Sequence, residues 1–269
     1  MTPKRVSILG AGWLGAALSS YLEEKGYITQ LSTASIERYE QLKQRHARVV
    51  QLQVQSEKVT GDWATFSQAD VLIINITPDR SQPNSEQLAS LLPLIAAAPI
   101  QHVLYISSTS VYPNLNRVVT EDEGLEQKEH ILYKSEQVLQ QAQGFETTIL
   151  RLAGLIGGDR HPGRFFQRSG IIKQSQAPVN LIHRVDCLQC IHQILAQEYW
   201  GKVVNACADS HPLKIEFYPK AAQLLGLQPA VARSTAPLAY KIISNQKIKQ
   251  DLGITFQEPN LMTLLDHWH

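Results

Sequence analysis

Short apolar runs recur along the first part of the chain and are separated by stretches whose apolar positions follow a helical spacing. The runs predict strands at Val6–Leu9, Ile28–Ser32, Val49–Leu52, Asp70–Ile76, His102–Ile106 and Thr147–Leu152. The fourth run has no polar alternation until its end, which is typical of a parallel strand covered on both faces. Helices are predicted at Trp13–Lys25, Ile36–Gln44, Ser85–Ala98 and Glu126–Gln143.

Strands that alternate with helices at this spacing indicate βαβ units. The sequence therefore predicts an α/β fold, with a doubly wound, mainly parallel sheet in residues 1–155. After Leu155 the predicted strands and helices no longer alternate regularly. A helix at Val185–Ala196 and a strand at Lys202–Cys207 are predicted to return residues 181–208 to the sheet, and most of residues 156–269 is predicted to form a small cap.

The first predicted turn carries the pattern G-x-G-x-x-G, with glycines at Gly10, Gly12 and Gly15. It follows a strand and opens a helix at Trp13 and Leu14, which is the context of a dinucleotide-binding Rossmann turn. The first glycine permits the tight turn, the second lets a pyrophosphate approach, and the third lets helix and strand pack. The helix start then offers N–H groups and a positive dipole end to the phosphates.

The end of the second strand predicts which dinucleotide is preferred. NAD sites place a carboxylate there, whereas this chain has Ser32 and Thr33, with Arg38 one turn into the next helix. Hydroxyls and a guanidinium suit the 2′-phosphate of NADP. The alternative is that Ser35 only caps the helix and that Arg38 is solvated, and Glu37 keeps NAD possible. Ile76, Thr77 and Ser107, which end later strands, complete the predicted cofactor-binding set.

The composition narrows the classes of partner. A net charge of +1 argues against a general nucleic-acid or membrane-surface binder, and no run reaches the roughly eighteen apolar residues of a membrane span. Three cysteines are too few for a disulfide framework and indicate a reducing, cytoplasmic compartment. Cys187 and Cys190 share a helix face, which favours buried packing. The histidines show no metal-ligand spacing, so no metal site is predicted.

Three later segments, together with the glycine turn, carry a family resemblance. They are Tyr105–Pro113, Leu150–Gly158 and Asn180–Asp186. The chain resembles the extended short-chain dehydrogenase/reductase superfamily, in particular its NAD(P)-dependent epimerase/dehydratase group, in an atypical branch. The resemblance runs through nearly the whole chain. It implies a nicotinamide cofactor, a small-molecule substrate held by the cap, and a homodimer formed through the Ser85–Ala98 and Glu126–Gln143 helices.

The resemblance also implies roles for individual residues. Ser108 corresponds to the serine that polarises a substrate oxygen, and Thr109 beside it is expected to contact substrate. Arg160 and His183 lie where substrates of the family bind, and a guanidinium suits a diphosphate or carboxylate. The alternatives are a loop serine that satisfies backbone groups, a solvated arginine and a structural histidine.

The chain departs from the family at its acid/base pair, a tyrosine followed four residues later by a lysine. With Ser135–Leu139 as the landmark of this helix, the tyrosine position holds Lys128 and the lysine position holds Leu132. Tyr133 is near, and it would serve as the acid only if the register changed. The resemblance and Ser108 favour an NADP-linked reductase, epimerase or dehydratase that acts on a sugar-like or nucleotide-linked molecule and lacks the usual acid/base pair. The alternative is a cofactor sensor or regulatory protein without turnover.

Overall fold

The computed structural model describes residues 4–76, 84–233 and 237–268. The described strands are β1 (Arg5–Leu9), β2 (Ile28–Thr33), β3 (Val49–Val54), β4 (Val59–Gly61), β5 (Val71–Ile74), β6 (His102–Ser108), β7 (Val118–Val119), β8 (Glu146–Leu152), β9 (Gly154–Ile156), β10 (Ile171–Lys173), β11 (Leu181–His183), β12 (Val203–Ala206), β13 (Val231–Arg233) and β14 (Ile242–Ile243). The helices are α1 (Trp13–Glu24), α2 (Ile36–Lys43), α3 (Trp63–Phe66), α4 (Asn84–Ala96), α5 (Ile131–Gln140), α6 (Arg184–Ala196), α7 (Lys214–Leu224), α8 (Gln246–Leu252) and α9 (Leu261–Leu264).

An eight-stranded sheet in the order β12-β8-β6-β5-β1-β2-β3-β4 confirms the predicted α/β class. Strand β1 pairs in parallel with β2 on one side and with β5 on the other, so the strand order reverses at β1. Ligands of such sheets bind beyond the carboxyl ends of the strands at this reversal. Strand β4 adds an antiparallel edge to β3, which the sequence analysis did not predict.

Burial explains why the strands and the first helix form where they do. Every residue of β5 is fully buried, as expected for the run without polar alternation. In α1 the buried side chains of Leu14, Leu18 and Leu22 recur every fourth residue and form one apolar stripe. Because that stripe fixes which face of α1 packs inward, it also fixes how the helix start is presented at the end of β1.

The predicted helix start at Glu126 is wrong, because α5 begins only at Ile131. The His130 N–H donates to the Gln127 carbonyl over 2.9 Å, which closes a turn before the helix. The His130 Nδ1 then accepts from the Leu132 N–H at 3.2 Å and caps the first turn of α5. The preceding residues, Lys128 among them, therefore lie outside the helix. Helix α5 packs against α4, the pair named in the dimer prediction.

The chain divides into two compact units. The first unit contains Met1–Ser107, Glu126–Leu150 and Ile194–Val203, and the second contains Ser108–Leu125, Arg151–Gln193 and Val204–His269. The core of the first unit is formed by the sheet strands with α4 and α5, and that of the second centres on Ile172, Phe217 and Leu261. No helix of the described ranges is long and apolar enough to cross a membrane.

Within the second unit, a buried carboxylate at the start of α6 anchors a later segment of the chain. Asp186 is fully buried, and its carboxylate accepts the N–H groups of Gln257 at 2.6 Å and Glu258 at 3.1 Å. Burial raises the pKa of Asp186 to about 6, although both hydrogen bonds oppose that shift. Cys187, Cys190 and Cys207 are free thiols buried in the same unit, which confirms the packing interpretation of the first two.

Candidate functional site

The glycine turn lies at the carboxyl end of β1 and is held by two neighbouring strands. Gly10 has a φ of +106°, which glycine adopts without strain. On the β2 side, the Ala11 N–H donates to the Ser32 carbonyl at 2.8 Å and the Gly10 N–H to the Ser32 hydroxyl at 3.4 Å. On the β5 side, the Asn75 amide donates to the Gly10 carbonyl at 3.2 Å. The turn is thus fixed before any ligand arrives.

The three glycines of the turn are required for different reasons. A Cβ on Gly10 would lie 2.5 Å from the Asn75 carbonyl oxygen, and a Cβ on Gly15 would overlap the Gly10 carbonyl oxygen. Gly12 differs, because a Cβ there would meet no described atom within 4 Å and its φ of −74° suits any residue. Packing and backbone strain therefore do not explain Gly12. An open cradle that a side chain would fill is what a bound pyrophosphate requires.

Helix α1 presents its amino end to this cradle. Gly12 is the residue before the helix and has no side chain to cap it, and the Ala16 N–H donates to the Gly12 carbonyl at 3.1 Å. The N–H groups of the first turn precede the helical hydrogen-bonding pattern, so they are suited to an anion. The side chain of Leu14 is buried, so this residue can contact a ligand only through its backbone, whereas Trp13 is half-buried at the rim of the cradle.

The start of α2, which follows β2, places a cation next to the glycine turn. The exposed Arg38 directs its Nε towards the Ala11 carbonyl at 3.5 Å, so its guanidinium lies over the turn. The Ser35 hydroxyl caps α2 by accepting from the Arg38 N–H at 3.2 Å. Ser32 is buried and serves the turn itself, and the Thr33 hydroxyl accepts from the Ser35 N–H. Of Ser32, Thr33 and Arg38, Arg38 is therefore the one with an exposed charged group, and the neighbouring Glu37 is exposed as well.

The remaining predicted cofactor residues have mixed positions. Ile76 is half-buried beside Gly10, whereas Thr77 lies outside the described residues. The Ser107 hydroxyl donates to the Glu136 carboxylate at 2.5 Å, and both side chains are buried. This contact joins the end of β6 to α5. The sequence analysis missed both Asn75 and Glu136. Asn75 had one signal, a polar side chain in an otherwise apolar stretch, whereas Glu136 lies among polar residues and had none.

A cavity of about 380 Å³ in the second unit contains two of the predicted substrate-handling residues. Ser108 and Thr109 line it at the start of a 3₁₀ turn, Thr109–Val111. The half-buried Ser108 hydroxyl accepts from the Ser110 N–H at 3.1 Å, which leaves its own proton available to donate. The other lining residues are Ser110, Asn114, Gly154, Ala177, Pro178, Val179, Asn180, Lys214, Tyr218, Ala239, Tyr240 and Lys241.

The Ser108 turn ends in a buried polar network. The Tyr112 hydroxyl accepts from the Arg151 guanidinium at 2.5 Å and donates to the Asn205 side-chain oxygen at 3.1 Å. The Glu121 carboxylate accepts the Asn205 N–H at 2.6 Å. Burial raises the pKa of Tyr112 to about 12, so this phenol is neutral at physiological pH. Tyr112 therefore positions the turn.

Arg160 and His183 do not line the Ser108 cavity. Arg160 is exposed in a loop whose backbone pairs with Gly157. His183 lies beside Gly157, with its ring centroid 5.8 Å from that of Trp268. Burial lowers the pKa of His183, so its imidazole is neutral at physiological pH. The structure thus places these two residues together at a second position, away from the lining of the Ser108 cavity.

Comparison with known proteins gives the family. No family model matches the sequence. Protein YeeZ of Escherichia coli K12 is 32% identical over 271 residues, with 97% of this chain and 98% of the relative covered. The chain belongs to the YeeZ family.

Two solved structures show the fold of this YeeZ-family chain. A functionally unknown conserved protein from Silicibacter pomeroyi has a TM-score of 0.79 at 25% identity, covering 98% of this chain and 97% of its own. A short-chain dehydrogenase/reductase superfamily protein from Agrobacterium tumefaciens, solved with bound NAD, has a TM-score of 0.77 at 18% identity, covering 98% and 95%. The resemblance to this superfamily, inferred from sequence, is confirmed at the level of the fold.

The positions at which the resemblance predicts the acid/base pair, 128 and 132, lie in the first unit of this YeeZ-family chain. Lys128 is exposed in the turn before α5, and Leu132 is half-buried in its first helical turn. Tyr133 lines a shallow surface depression with Lys128 and Gln137. A tyrosine–lysine pair at the expected spacing does occur in α2, where the Lys43 ammonium lies 5.0 Å from the centroid of the Tyr39 ring. Helix α2 follows β2, so this pair is far in sequence from the Ser108 turn.

A larger cavity of about 810 Å³ lies at the opposite, amino-terminal edge of the sheet. Its lining includes Arg5, Ile28 and Val49 at the starts of β1, β2 and β3. None of the predicted functional residues is among its lining. Because ligands of parallel α/β sheets bind at the carboxyl ends of the strands, the glycine turn is the better candidate for the cofactor.

Proposed function

We propose that this YeeZ-family chain binds NADP at the glycine turn and acts on a sugar-like or nucleotide-linked small molecule as a reductase, epimerase or dehydratase. The observation that carries the proposal is Gly12, whose absent side chain has no explanation within the protein. The open cradle and the uncapped start of α1 match the pyrophosphate of the dinucleotide, and the adjacent Arg38 matches its 2′-phosphate.

Each group of the chain then has a task. The bound nicotinamide would supply or accept a hydride. The Asn75 and Ser32 contacts keep the turn in its binding shape, so little ordering is needed on binding. The Ser108 proton is available to a substrate oxygen that gains charge, and the Tyr112–Arg151 network fixes the turn that carries Ser108. The second unit is the proposed substrate-binding part.

The test of cofactor binding is a titration of NADPH and NADH followed by tryptophan fluorescence, with Trp13 at the rim as a reporter. We expect saturable binding of NADPH that is at least about tenfold tighter than that of NADH. A neighbour of the same fold was solved with bound NAD, so a preference for NADH is a real alternative. Equal affinities for NADPH and NADH would remove the proposed NADP preference. Absence of binding by both dinucleotides would remove the proposal.

A second candidate is a cofactor sensor without turnover, and the side chains at positions 128 and 132 favour it. Leu132 has no ionisable group, and Lys128 is exposed before the helix. The two positions therefore do not supply the acid/base pair of the dehydrogenase/reductase superfamily. A panel of NADPH-linked carbonyl compounds and nucleotide sugars distinguishes the two functions. Turnover of any member supports the enzyme, whereas tight NADPH binding without turnover across the panel supports the sensor.

A further inference from the structure

Two lysines line the Ser108 cavity, and none of its described lining residues carries a carboxylate. Lys214 is the first residue of α7, and Lys241 lies just before β14. All lining residues belong to the second unit, and none is Asp or Glu. The acidic residue in the first turn of α7, Glu216, is not part of the lining and accepts the Leu213 N–H at 3.4 Å. The described lining therefore carries two positive charges and no negative one.

The two ammonium groups are held differently. Lys241 donates to the Tyr112 carbonyl at 2.5 Å, so it lies at the end of the turn that Ser108 begins. The Lys214 ammonium makes no hydrogen bond or ion pair within the described ranges, although its side chain is half-buried. Burying an unpaired charge costs free energy unless a counter-charge arrives. An anion between the two lysines would supply it.

Burial lowers the pKa of both lysines, which is the expected result when ammonium groups lose water and gain no carboxylate. Lysine suits this position because its compact charge can approach one anionic group from one side while a second lysine approaches from another. The amino end of α7 adds a positive dipole end on the Lys214 side. Charge, burial and position thus agree on an anionic ligand.

The rest of the lining limits the size and shape of that ligand. Tyr218 and Tyr240 provide aromatic walls, and Asn114 and Asn180 provide amides. The Asn180 amide is already bound to the chain, with its nitrogen donating to the Lys241 carbonyl at 2.9 Å and its oxygen accepting from the Ile243 N–H at 2.9 Å. These bonds fix the backbone beside Lys241. A cavity of about 380 Å³ suits a small molecule.

We propose that Lys214 and Lys241 form an anion subsite that holds one carboxylate or phosphate group of the substrate beside the Ser108 hydroxyl. The inference rests on the proposed function, because it names the substrate class of that same site: a small anionic molecule with a carbonyl or hydroxyl near its charged group. Both charged contacts come from the second unit, so the subsite exists without the cofactor.

The test uses the whole chain without cofactor and isothermal titration with inorganic phosphate and with malonate at constant ionic strength. Malonate and phosphate separate a carboxylate subsite from a phosphate subsite. The first variant is Lys214→Met, which keeps the length of the side chain and breaks no described contact. The control is Lys173→Met, an exposed lysine of β10 in the same unit. We expect Lys214→Met to weaken binding of the preferred anion at least about tenfold and Lys173→Met to leave it unchanged.

Lys241→Arg and Lys241→Met form a second pair, because loss of the Tyr112 contact alone can loosen the turn. Binding that survives in Lys241→Arg and is lost in Lys241→Met, with both variants folded by circular dichroism, supports the charge assignment. NADPH titrations of the same proteins are expected to match wild type. Equal anion affinity in wild type and Lys214→Met, or no binding of either anion, overturns the subsite. If the wild-type protein does not bind NADPH, the proposed function is overturned instead.

Discussion

Substitution of Gly12 by alanine separates a glycine kept for a ligand from glycines kept for packing. The matched variant is Gly15→Ala, three residues later in the first turn of α1. The added methyl group is identical in both. In Gly12→Ala it enters open space, and in Gly15→Ala it overlaps the Gly10 carbonyl oxygen. We expect the first variant to lose dinucleotide binding with little change in stability, and the second to lose stability.

The expected stability effects follow from the local geometry. Gly12 precedes α1 with a φ of −74°, so alanine fits without strain. Alanine is a poorer residue than glycine at this position by about 0.5–1 kcal/mol, and it restricts the unfolded chain by a similar amount. The two effects offset, and the melting temperature should move by less than about 4 °C. Overpacking at Gly15 costs about 1–3 kcal/mol and should lower the melting temperature clearly.

The expected binding effect is larger. A methyl group in the cradle displaces the pyrophosphate from the first-turn N–H groups of α1. Each charge-assisted hydrogen bond contributes about 1.5–3 kcal/mol, so loss of one or two weakens NADPH binding by between about 10-fold and about 10⁴-fold. Fluorescence titration and thermal unfolding on the same samples measure both quantities. Wild-type affinity in a folded Gly12→Ala would refute the assignment of the cradle, whatever Gly15→Ala does.

The remaining predictions concern cofactor choice, chemistry and pH. Arg38→Ala should weaken NADPH binding and leave NADH binding unchanged by calorimetry; equal losses for both would assign Arg38 to the turn instead of the 2′-phosphate. If the chain turns over a substrate, Ser108→Ala should reduce kcat at least about 100-fold and Tyr133→Phe should not, and the reverse result would make Tyr133 the acid. Because burial raises the pKa of Asp186 to about 6 in the folded state, its contribution to the free energy of unfolding is greatest below about pH 4. That contribution falls by up to about 3 kcal/mol as pH rises to 7, and Asp186→Asn should flatten the slope in urea unfolding.

Features that depend on neighbours in sequence were predictable. The glycine turn, the strand before it and the helix after it lie within about twenty residues, and their patterns agree on one structure. The Ser35 cap of α2 follows from the same local chemistry. The edge strand β4 was missed because its three residues, Val59–Gly61, are too few to show a period. The strand is recognisable only from its antiparallel pairing with β3 in the folded chain.

Features that depend on residues far apart in sequence were not predictable. Asn75 supports the Gly10 carbonyl from 65 positions away, and Lys241 reaches the Tyr112 carbonyl from 129 positions away. Neither residue belongs to a local pattern. A polar side chain that ends a buried strand, as Asn75 does, is a general signal of a site at the carboxyl edge of a sheet. The two cavity lysines carried no such signal, because isolated lysines in a mixed C-terminal segment read as solvated.

The start of α5 changes the argument about the missing acid/base pair. A tyrosine and a lysine four residues apart can act together only if both lie on one helix face. Here the helix begins at Ile131 after the His130 cap, so Lys128 precedes it and Leu132 lies in its first turn. Restoring the two side chains as Lys128→Tyr and Leu132→Lys would therefore not restore the pair, because the tyrosine would start from a turn. The Ser107–Glu136 contact keeps α5 tied to the end of β6 in this register. Outside α5, the Ser108 hydroxyl begins the turn whose Tyr112 carbonyl accepts from Lys241, and both residues line one cavity, so these are the polar groups that the structure brings together there.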